Sequence, residues 1–293
     1  MAKGIILAGG SGTRLDPLTR VASKQLLPVY DKPMVFYPLA LLMRCGFREI
    51  LVITAPEWQE SYFALLGDGS EWGMSIDYCL QDKPTGIPEA WILAEDWLAG
   101  DSSCLVLGDN LFFGNLDPIR ATVLDEKKQG GTIFAIPTMA PERFGIVTLE
   151  DHEGEEKVVK IEEKPSKSLS NLAIPGLYFF DRSASRRAKS LQPSERGETE
   201  VCSLMESYRK DGLLRCQHLG RGFVWLDAGT PDGLLEAGNF VESLEKRTGY
   251  QIACPEEIAW REGWIGDDAL EELAKKQRNL DREAYFLNLL KES

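Results

Sequence analysis

The sequence predicts an α/β fold, with a mostly parallel central sheet, helices on both of its faces and a helical C-terminal segment. In the first third of the chain, short runs of apolar and β-branched residues alternate with segments of helical periodicity. One run, Ile50-Leu51-Val52-Ile53, is apolar without interruption, as expected of a strand buried on both faces. Because a strand, helix, strand order needs crossover connections, the strands it joins should be parallel and covered by helices.

The boundaries of the first elements follow from local signals. Strands are predicted at residues 4–8, 49–54, 75–80 and 103–107. Helices are predicted between them, at 33–44, 57–66 and 88–98. Each of these helices has a proline near its start and a glycine shortly after its end, which is the usual punctuation of a helix.

After a further predicted helix at 117–129, the pattern becomes rich in strands. Runs at 132–136, 144–149, 157–162 and 173–180 are expected to extend the sheet in mixed fashion. Later helices are predicted at 200–210, 231–246, 267–277 and 282–290. We divide the chain into a main domain, 1–247, and a C-terminal helical segment, 248–293. The segment carries apolar stripes that should either cover the core of the chain itself or form a subunit contact.

Charge and composition exclude several classes of function. The 293 residues include 33 Lys and Arg against 46 Asp and Glu, a formal charge of −13. Nucleic acid is therefore an improbable partner, because its phosphate backbone is bound by clustered basic residues. With 43% hydrophobic and 27% charged residues, the composition is that of an ordinary globular protein. Any phosphate that binds must meet a local basic pocket.

Targeting and metal-binding patterns are also missing from the sequence. The N-terminal apolar run is too short for a secretory signal, so we expect a cytoplasmic protein. No apolar stretch reaches the roughly 20 residues of a membrane span, so no membrane association is expected. The six cysteines form no C-x-x-C pair and the chain has only two histidines, which disfavours disulfides, zinc sites and a histidine triad. The chemistry should therefore rest on carboxylates, lysine and arginine.

A glycine-rich loop follows the first strand. Residues 7–15 read LAGGSGTRL, at the edge where an open parallel sheet binds its ligands. Its glycines allow close approach to an anion, and Arg14 offers a planar fork of donors to phosphate oxygens. The dinucleotide fingerprint fails because Leu15 stands where a third glycine is needed, and no Gly-Lys-Ser/Thr completes a Walker A motif. We interpret the loop as a phosphate site of another kind, although such a turn can also be purely structural.

Three further charged residues are candidates for binding phosphate or a metal ion. Lys24 lies in a loop between apolar elements, where its ammonium could neutralise a polyphosphate or simply be a surface group. Asp109 and Asp227 each follow an apolar run, at the expected carboxyl end of a strand. Mg²⁺ is typically held by one or two carboxylates plus substrate phosphates. From the sequence alone, either aspartate could equally be a turn residue that bonds its own backbone.

Taken together, these motifs resemble the sugar-nucleotide pyrophosphorylases, and among them the glucose-1-phosphate thymidylyltransferases. The resemblance rests on GGSGTR at 9–14 followed by SKQLLPVYDKP at 23–33, and it extends over nearly the whole chain. Matching segments are LGDGS at 66–70, VLGDN at 106–110, EEKP at 162–165, WLDAGT at 225–230 and CPEEIA at 254–259.

The resemblance implies a Rossmann-like nucleotidyltransferase fold and a Mg²⁺-dependent reaction. In that reaction glucose 1-phosphate attacks the α-phosphorus of dTTP directly, giving dTDP-glucose and pyrophosphate. It implies further that Arg14 and Lys24 neutralise charge near the reacting phosphates and that Asp109 and Asp227 bind the metal. It also implies a homo-oligomer, in this family usually a tetramer, and inhibition by the end product at a second nucleotide site.

Substrate-binding residues are carried over in the same way. The nucleotide-binding set is Gly9, Gly10, Gly12, Thr13, Arg14, Lys24, Gln25, Gln81 and Gly86, in which Gln81 and Gly86 would read the base. The sugar-phosphate set is Asn110, Gly145, Glu163, Lys164 and Ile174.

Two segments depart from the family pattern. GIPEA at 86–90 replaces GLAQA, and ETEVCS at 198–203 replaces ELEITD. These departures bear on hexose identity and nucleotide preference rather than on reaction type. Alternatives are a uridylyl- or cytidylyltransferase, a non-catalytic sugar-nucleotide sensor and a glycosyltransferase, although the loop at 9–14 better suits a triphosphate.

Overall fold

The computed structural model describes residues 2–124, 129–194 and 197–292. Its strands are β1 (Lys3–Ala8), β2 (Pro28–Val29), β3 (Lys32–Pro33), β4 (Glu49–Thr54), β5 (Ser75–Leu80), β6 (Ser103–Leu107), β7 (Asn110–Phe113), β8 (Gly131–Pro137), β9 (Gly145–His152), β10 (Glu155–Glu163), β11 (Leu172–Ile174), β12 (Leu177–Phe180), β13 (Leu214–His218) and β14 (Val224–Asp227).

The α-helices alternate with these strands and then take over at the C-terminus. They are α1 (Phe36–Arg44), α2 (Gln59–Leu66), α3 (Glu89–Leu93), α4 (Glu95–Leu98), α5 (Asp117–Leu124), α6 (Ala184–Lys189), α7 (Val201–Lys210), α8 (Pro231–Thr248), α9 (Pro255–Arg261), α10 (Asp267–Lys275) and α11 (Leu280–Glu292).

One large mixed sheet organises the molecule, in the order β10-β9-β11-β8-β12-β6-β1-β4-β5 with β13 beside β8. The strands β6, β1, β4 and β5 run parallel to one another. The strand β12 then lies antiparallel between β6 and β8, and the pairings out to β10 are antiparallel as well. The predicted mixed sheet flanked by helices, with a helical C-terminal segment, is confirmed.

The predicted elements agree closely with those observed, and the differences have local causes. The predicted strand 173–180 is interrupted at Pro175-Gly176, which separates β11 from β12. The helix predicted from residue 33 begins at Phe36, because Lys32–Pro33 pairs instead with Pro28–Val29 in a small ribbon. The helix predicted at 117–129 is seen as Asp117–Leu124, and residues 125–128 lie outside the described part of the chain.

The C-terminal helices pack against one another and against α1. Leu270, Ala274, Phe286 and Leu289 are buried in a cluster of their own with Cys254. Leu273 instead joins the main core. These residues therefore pack on apolar surface of the chain itself. None of the helices described is long and apolar enough to cross a membrane.

Trp91 fills the core on the other face of the sheet. The residue is fully buried, its indole Nε1 donates to Ser103 Oγ at 2.9 Å, and its ring packs edge-on against Phe180 with centroids 5.1 Å apart. We expect Trp91→Ala to lower the free energy of unfolding by about 3–5 kcal/mol, because it removes a large buried ring and leaves a cavity. Urea denaturation measures this. Trp97→Ala, at a partly exposed tryptophan of α4, is the control; an equal loss there would contradict the assignment of Trp91 to the core.

Candidate active site

The ends of two neighbouring strands bring the glycine-rich loop and Asp109 together. The strands β1 and β6 are parallel, with Leu7 opposite Leu107, so both chains leave the sheet at the same edge. The Gly108 N–H donates to the Leu7 carbonyl at 2.9 Å. The loop at 9–14 and Asp109 therefore start side by side.

Asp227 reaches the same edge by a different route. Its strand β14 is outside the large sheet and pairs antiparallel with β7, with Asp227 opposite Asn110. The Ala228 N–H donates to the Asp109 carbonyl at 3.0 Å. This ribbon, rather than a second sheet strand, is what brings the two aspartates together.

Arg14, Asp109 and Asp227 converge on one point. A β-carbon placed on Gly229 would lie 2.8 Å from Asp227 Oδ1, 2.9 Å from Arg14 Nη2 and 3.0 Å from Asp109 Oδ2. The two carboxylate oxygens are thus no more than 5.8 Å apart, the sum of their distances to that point. Only glycine leaves this space open, and all three side chains line a single cavity of about 160 Å³.

Lys24 is the buried counter-ion of Asp109. It lies in a 3-10 turn, Lys24–Leu26, and its ammonium pairs with Asp109 Oδ2. The other carboxylate oxygen, Oδ1, accepts from Asn110 Nδ2 at 2.9 Å. Burial opposes ionisation of Asp109, but the charge and hydrogen bond of Lys24 outweigh it, so the pKa of Asp109 lies below its usual value.

Asp227 is in the opposite electrostatic situation. Burial and then the negative charge of Asp109 raise its pKa, against the opposing influence of Lys24 and Arg14. Two carboxylates so close together, that of Asp109 buried and that of Asp227 half-buried, favour a cation between them. Among the described residues, no group of three or more His, Cys, Asp or Glu is arranged so that it could hold a metal ion. A carboxylate pair beside a phosphate site nevertheless fits Mg²⁺, which takes its remaining ligands from substrate phosphates and water.

The predicted sugar-phosphate residues gather in the cavity that also holds the two aspartates. Its lining includes all five of them: Asn110, Gly145, Glu163, Lys164 and Ile174. Lys164 has a positive φ of 45°, a conformation that costs energy for a residue with a side chain and that is common at functional sites. Its ammonium lies 3.3 Å from Glu163 Oε1, and its N–H donates to the Phe144 carbonyl at 3.0 Å.

Part of the predicted nucleotide set lines a second cavity of about 350 Å³. Gly9, Gly10, Lys24 and Gln81 belong to its lining. Lys24 lines this cavity while its partner Asp109 lines the first. The two cavities therefore adjoin across that ion pair, as a site for two substrates requires.

Four of the predicted nucleotide-binding residues, all in the described part of the chain, do not line either of these two cavities. Gln25 is buried, and its amide oxygen accepts from Ser23 Oγ at 3.0 Å and from Tyr62 Oη at 3.3 Å. Gly12 starts the 3-10 turn that contains Thr13 and Arg14, with a φ of 61°. A β-carbon at Gly86 would overlap with the Thr199 carbonyl, so this loop needs glycine for close packing. Among the described residues, Gly12, Thr13, Gln25 and Gly86 are not part of the lining of either cavity.

Sequence reasoning missed Trp225. Its indole Nε1 donates to Asn110 Oδ1 at 2.6 Å, and its ring packs on Phe144 with centroids 4.7 Å apart. Asn110 Oδ1 also accepts from the Gly176 N–H at 3.0 Å. Trp225 and Gly176 thus orient Asn110, which in turn holds Asp109. The sequence signals were its place at the start of the matching segment WLDAGT and its position two residues before Asp227.

A more spacious cavity, of about 380 Å³, lies between α1 and the start of α9. Its lining is mainly apolar, with Leu41, Phe112 and Ile258 among the residues. It contains none of the predicted site residues. Volume alone therefore does not single out the cavity that the predicted site residues line.

Comparison with known proteins gives a consistent set of relatives. A family model for nucleotidyl transferases matches residues 3–243. Glucose-1-phosphate thymidylyltransferases from Neisseria meningitidis and Mycolicibacterium smegmatis are 50% and 46% identical to this chain, covering 99% and 98% of it and 99% of each relative.

Solved structures agree in fold. A Bacillus anthracis protein crystallised with sucrose has a TM-score of 0.75 and 36% identity, covering 82% of this chain and 95% of that one. A UDP-glucose pyrophosphorylase in complex with UDP-glucose has a TM-score of 0.72 at 19% identity, covering 83% of this chain and all of that one, which supports the fold alone.

Proposed function

The chain belongs to the nucleotidyl transferase family and, within it, to the glucose-1-phosphate thymidylyltransferases, and from this premise we propose its reaction. The enzyme transfers a thymidylyl group from dTTP to α-D-glucose 1-phosphate, releasing dTDP-glucose and pyrophosphate. The observation that carries this proposal is the convergence of Arg14, Asp109 and Asp227, which all line the smaller of two adjoining cavities, on one point.

The reaction is proposed to be a direct in-line displacement. A phosphate oxygen of glucose 1-phosphate forms a bond to the α-phosphorus of dTTP as the bond from that phosphorus to the pyrophosphate oxygen breaks. Arg14, whose guanidinium can bind two phosphate oxygens at once, holds the departing pyrophosphate. Lys24 supplies positive charge at the reacting phosphates. Catalysis is then positioning and charge neutralisation, the usual sources of rate in phosphoryl transfer.

The cavity residues support a mechanism without a covalent enzyme intermediate. The thiol that lines the sugar side, Cys202, lies 3.2 Å from Glu163 Oε2. Burial and the negative charge of Glu163 raise the pKa of Cys202, so the thiol is protonated at neutral pH. A protonated thiol is a poor nucleophile, so Cys202 does not compete with the sugar phosphate as the attacking group.

We assign Mg²⁺ to Asp109 and Asp227. The pair offers two hard oxygen ligands, and burial together with the negative charge of Asp109 raises the pKa of Asp227, so a divalent cation between them would favour its ionised form. When bound, the ion supplies Lewis-acid neutralisation of the phosphate oxygens. Asn110 and Lys24 keep the Asp109 carboxylate ionised and oriented toward that position.

The sugar side of the site supports a hexose phosphate. Glu163 can accept hydrogen bonds from sugar hydroxyls, and Lys164 can meet the sugar phosphate. On the nucleotide side, the amide of Gln81 can donate and accept, as the edge of thymine or uracil requires. A uridylyltransferase with the same chemistry is the alternative that these contacts leave open, because the two bases differ only by a methyl group.

The direct test is a substrate panel on purified protein. Pyrophosphate release is measured with each nucleoside triphosphate in turn and with glucose 1-phosphate, galactose 1-phosphate or no sugar. We expect release with dTTP and glucose 1-phosphate, with the sugar nucleotide as the second product. If none of the nucleoside triphosphates gives pyrophosphate release under any condition, the protein only binds its ligands. Transfer of sugar from a finished sugar nucleotide would instead show a glycosyltransferase.

A further inference from the structure

Gln81 directly follows the carboxyl end of β5, and the nitrogen and the oxygen of its buried side-chain amide contact different partners. Its Nε2 donates to Glu89 Oε2 at 2.6 Å. Its Oε1 lies against Gly9, where a β-carbon would overlap with it. Gln81 is only 3% exposed, and it shares with Gly9 the lining of the nucleotide-side cavity. The amide is thus held between an acid and the first glycine of the loop.

Glu89 determines which end of this amide faces Gly9. An ionised carboxylate can only accept hydrogen bonds, so the amide nitrogen must face it. Turning the amide over would bring Oε1 against Glu89 Oε2, two acceptors with no proton between them. Glu89 is itself positioned at the start of α3, and its Oε2 also accepts from the Thr85 N–H at 3.3 Å.

We propose that Glu89 is a positioning residue for base selection: by locking the Gln81 amide it favours thymine or uracil over cytosine. The inference rests on the proposed function only in taking this cavity as the place where the nucleotide base binds. The acid stands where the resembling family typically has glutamine, one of the two departures from the family pattern.

The chemistry of the bases gives the lock its selectivity. Thymine and uracil carry a hydrogen on N3, which Gln81 Oε1 can accept, and a neighbouring carbonyl that can accept the second hydrogen of Nε2. Cytosine has a bare lone pair at N3, which would face the oxygen of the locked amide. A site built around a specific donor rejects an analogue without that donor, because a buried polar group is left unpaired.

Glu89→Gln should release the lock. A glutamine at this position can turn its own amide and donate to the oxygen of a reversed Gln81, which would then present Nε2 to the N3 of cytosine. Equilibrium binding of dTDP and of dCDP, measured by titration calorimetry, reports this without any turnover. We expect the affinity for dCDP to rise about tenfold in the variant, the scale of one hydrogen bond, while the affinity for dTDP stays within about threefold.

The control is Glu57→Gln, which removes a negative charge from the same cavity lining. The ratio of dTDP to dCDP affinity should be unchanged there. Equal changes for both nucleotides in Glu89→Gln, or no preference for dTDP in the wild type, would overturn the inference. If the wild type binds dTDP but releases no pyrophosphate in the substrate panel, the proposed function is wrong and this binding test remains valid. If the wild type is active but the ratio of dTDP to dCDP affinity is unchanged in Glu89→Gln, only the inference is wrong. A wild type that binds neither nucleotide overturns both.

Discussion

Asp227→Asn is expected to lower the rate of thymidylyl transfer about a hundredfold or more while leaving the metal-free protein at least as stable. Asn keeps the shape of the side chain and can still accept from the Gly229 N–H, which lies 3.0 Å from Asp227 Oδ1. It removes one of the two charges proposed to hold Mg²⁺. The loss of one preorganised charge at a transition state typically costs on the order of 3 kcal/mol.

The stability half of this prediction follows from the direction of the pKa shift. Folding raises the pKa of Asp227 through burial and the charge of Asp109. A carboxyl group with a raised pKa stabilises the fold only at low pH, and this contribution is lost as the pH rises through the raised value. Above that raised value the negative charge of Asp227 opposes folding when no cation is present, and the amide removes that repulsion.

Thermal unfolding in the presence of a chelator tests the expected stability of the metal-free variant. Steady-state kinetics in Mg²⁺ test the expected loss of rate. Asp232→Asn, at an exposed position in the first turn of α8, is the matched control and should keep its turnover. A marked fall in melting temperature with activity preserved in Asp227→Asn would mean that the carboxylate is structural.

Arg14→Ala is expected to reduce turnover by a similar factor, about a hundredfold or more, because the guanidinium is the cation proposed to hold the leaving pyrophosphate. Arg14 is exposed on the rim of the site, and its Nη2 lies beside both aspartates. Little packing is lost on truncation, so the melting temperature should hardly move. The effect should lie mainly in kcat, since the charge matters most as the leaving group departs.

Two further variants separate charge from geometry at position 14. Arg14→Lys keeps the positive charge but cannot make the planar two-point contact with phosphate, so it should restore only part of the lost rate. Arg186→Ala, at an exposed arginine of α6, should leave turnover unchanged. Full activity of Arg14→Ala would remove this residue from the reaction.

The parallel part of the site was predictable from the sequence. Apolar runs located β1 and β6, and because neighbouring parallel strands end at one edge, Arg14 and Asp109 could be expected to meet. Asp227 could not be placed in this way. It belongs to a separate antiparallel ribbon with β7, and nothing in the local pattern gives the register that sets it opposite Asn110. The apolar run before Asp227 predicted a strand end there, and only the family resemblance set that residue beside Asp109 as a metal ligand.

Long-range side-chain partners were also outside the reach of sequence patterns. Lys24 and Asp109 are 85 positions apart, and their ion pair depends on how the loop folds over the sheet edge. Gln25 is a polar residue in a predicted substrate loop, yet its amide oxygen accepts from Tyr62 and Ser23. The contact between Gln81 and Glu89 likewise required coordinates, although the acid in GIPEA was visible as a departure from the family.

The dependence of pyrophosphate formation on Mg²⁺, in wild type and in Asp227→Asn, tests most directly whether these charges form one phosphate site. Protein stripped with a chelator is given saturating dTTP and glucose 1-phosphate, and Mg²⁺ is then added in steps. We expect no turnover before the addition, a saturable rise in the wild type, and a midpoint displaced to higher Mg²⁺ in the variant. Full turnover in chelator, or identical midpoints for the two proteins, would contradict a metal held between Asp109 and Asp227.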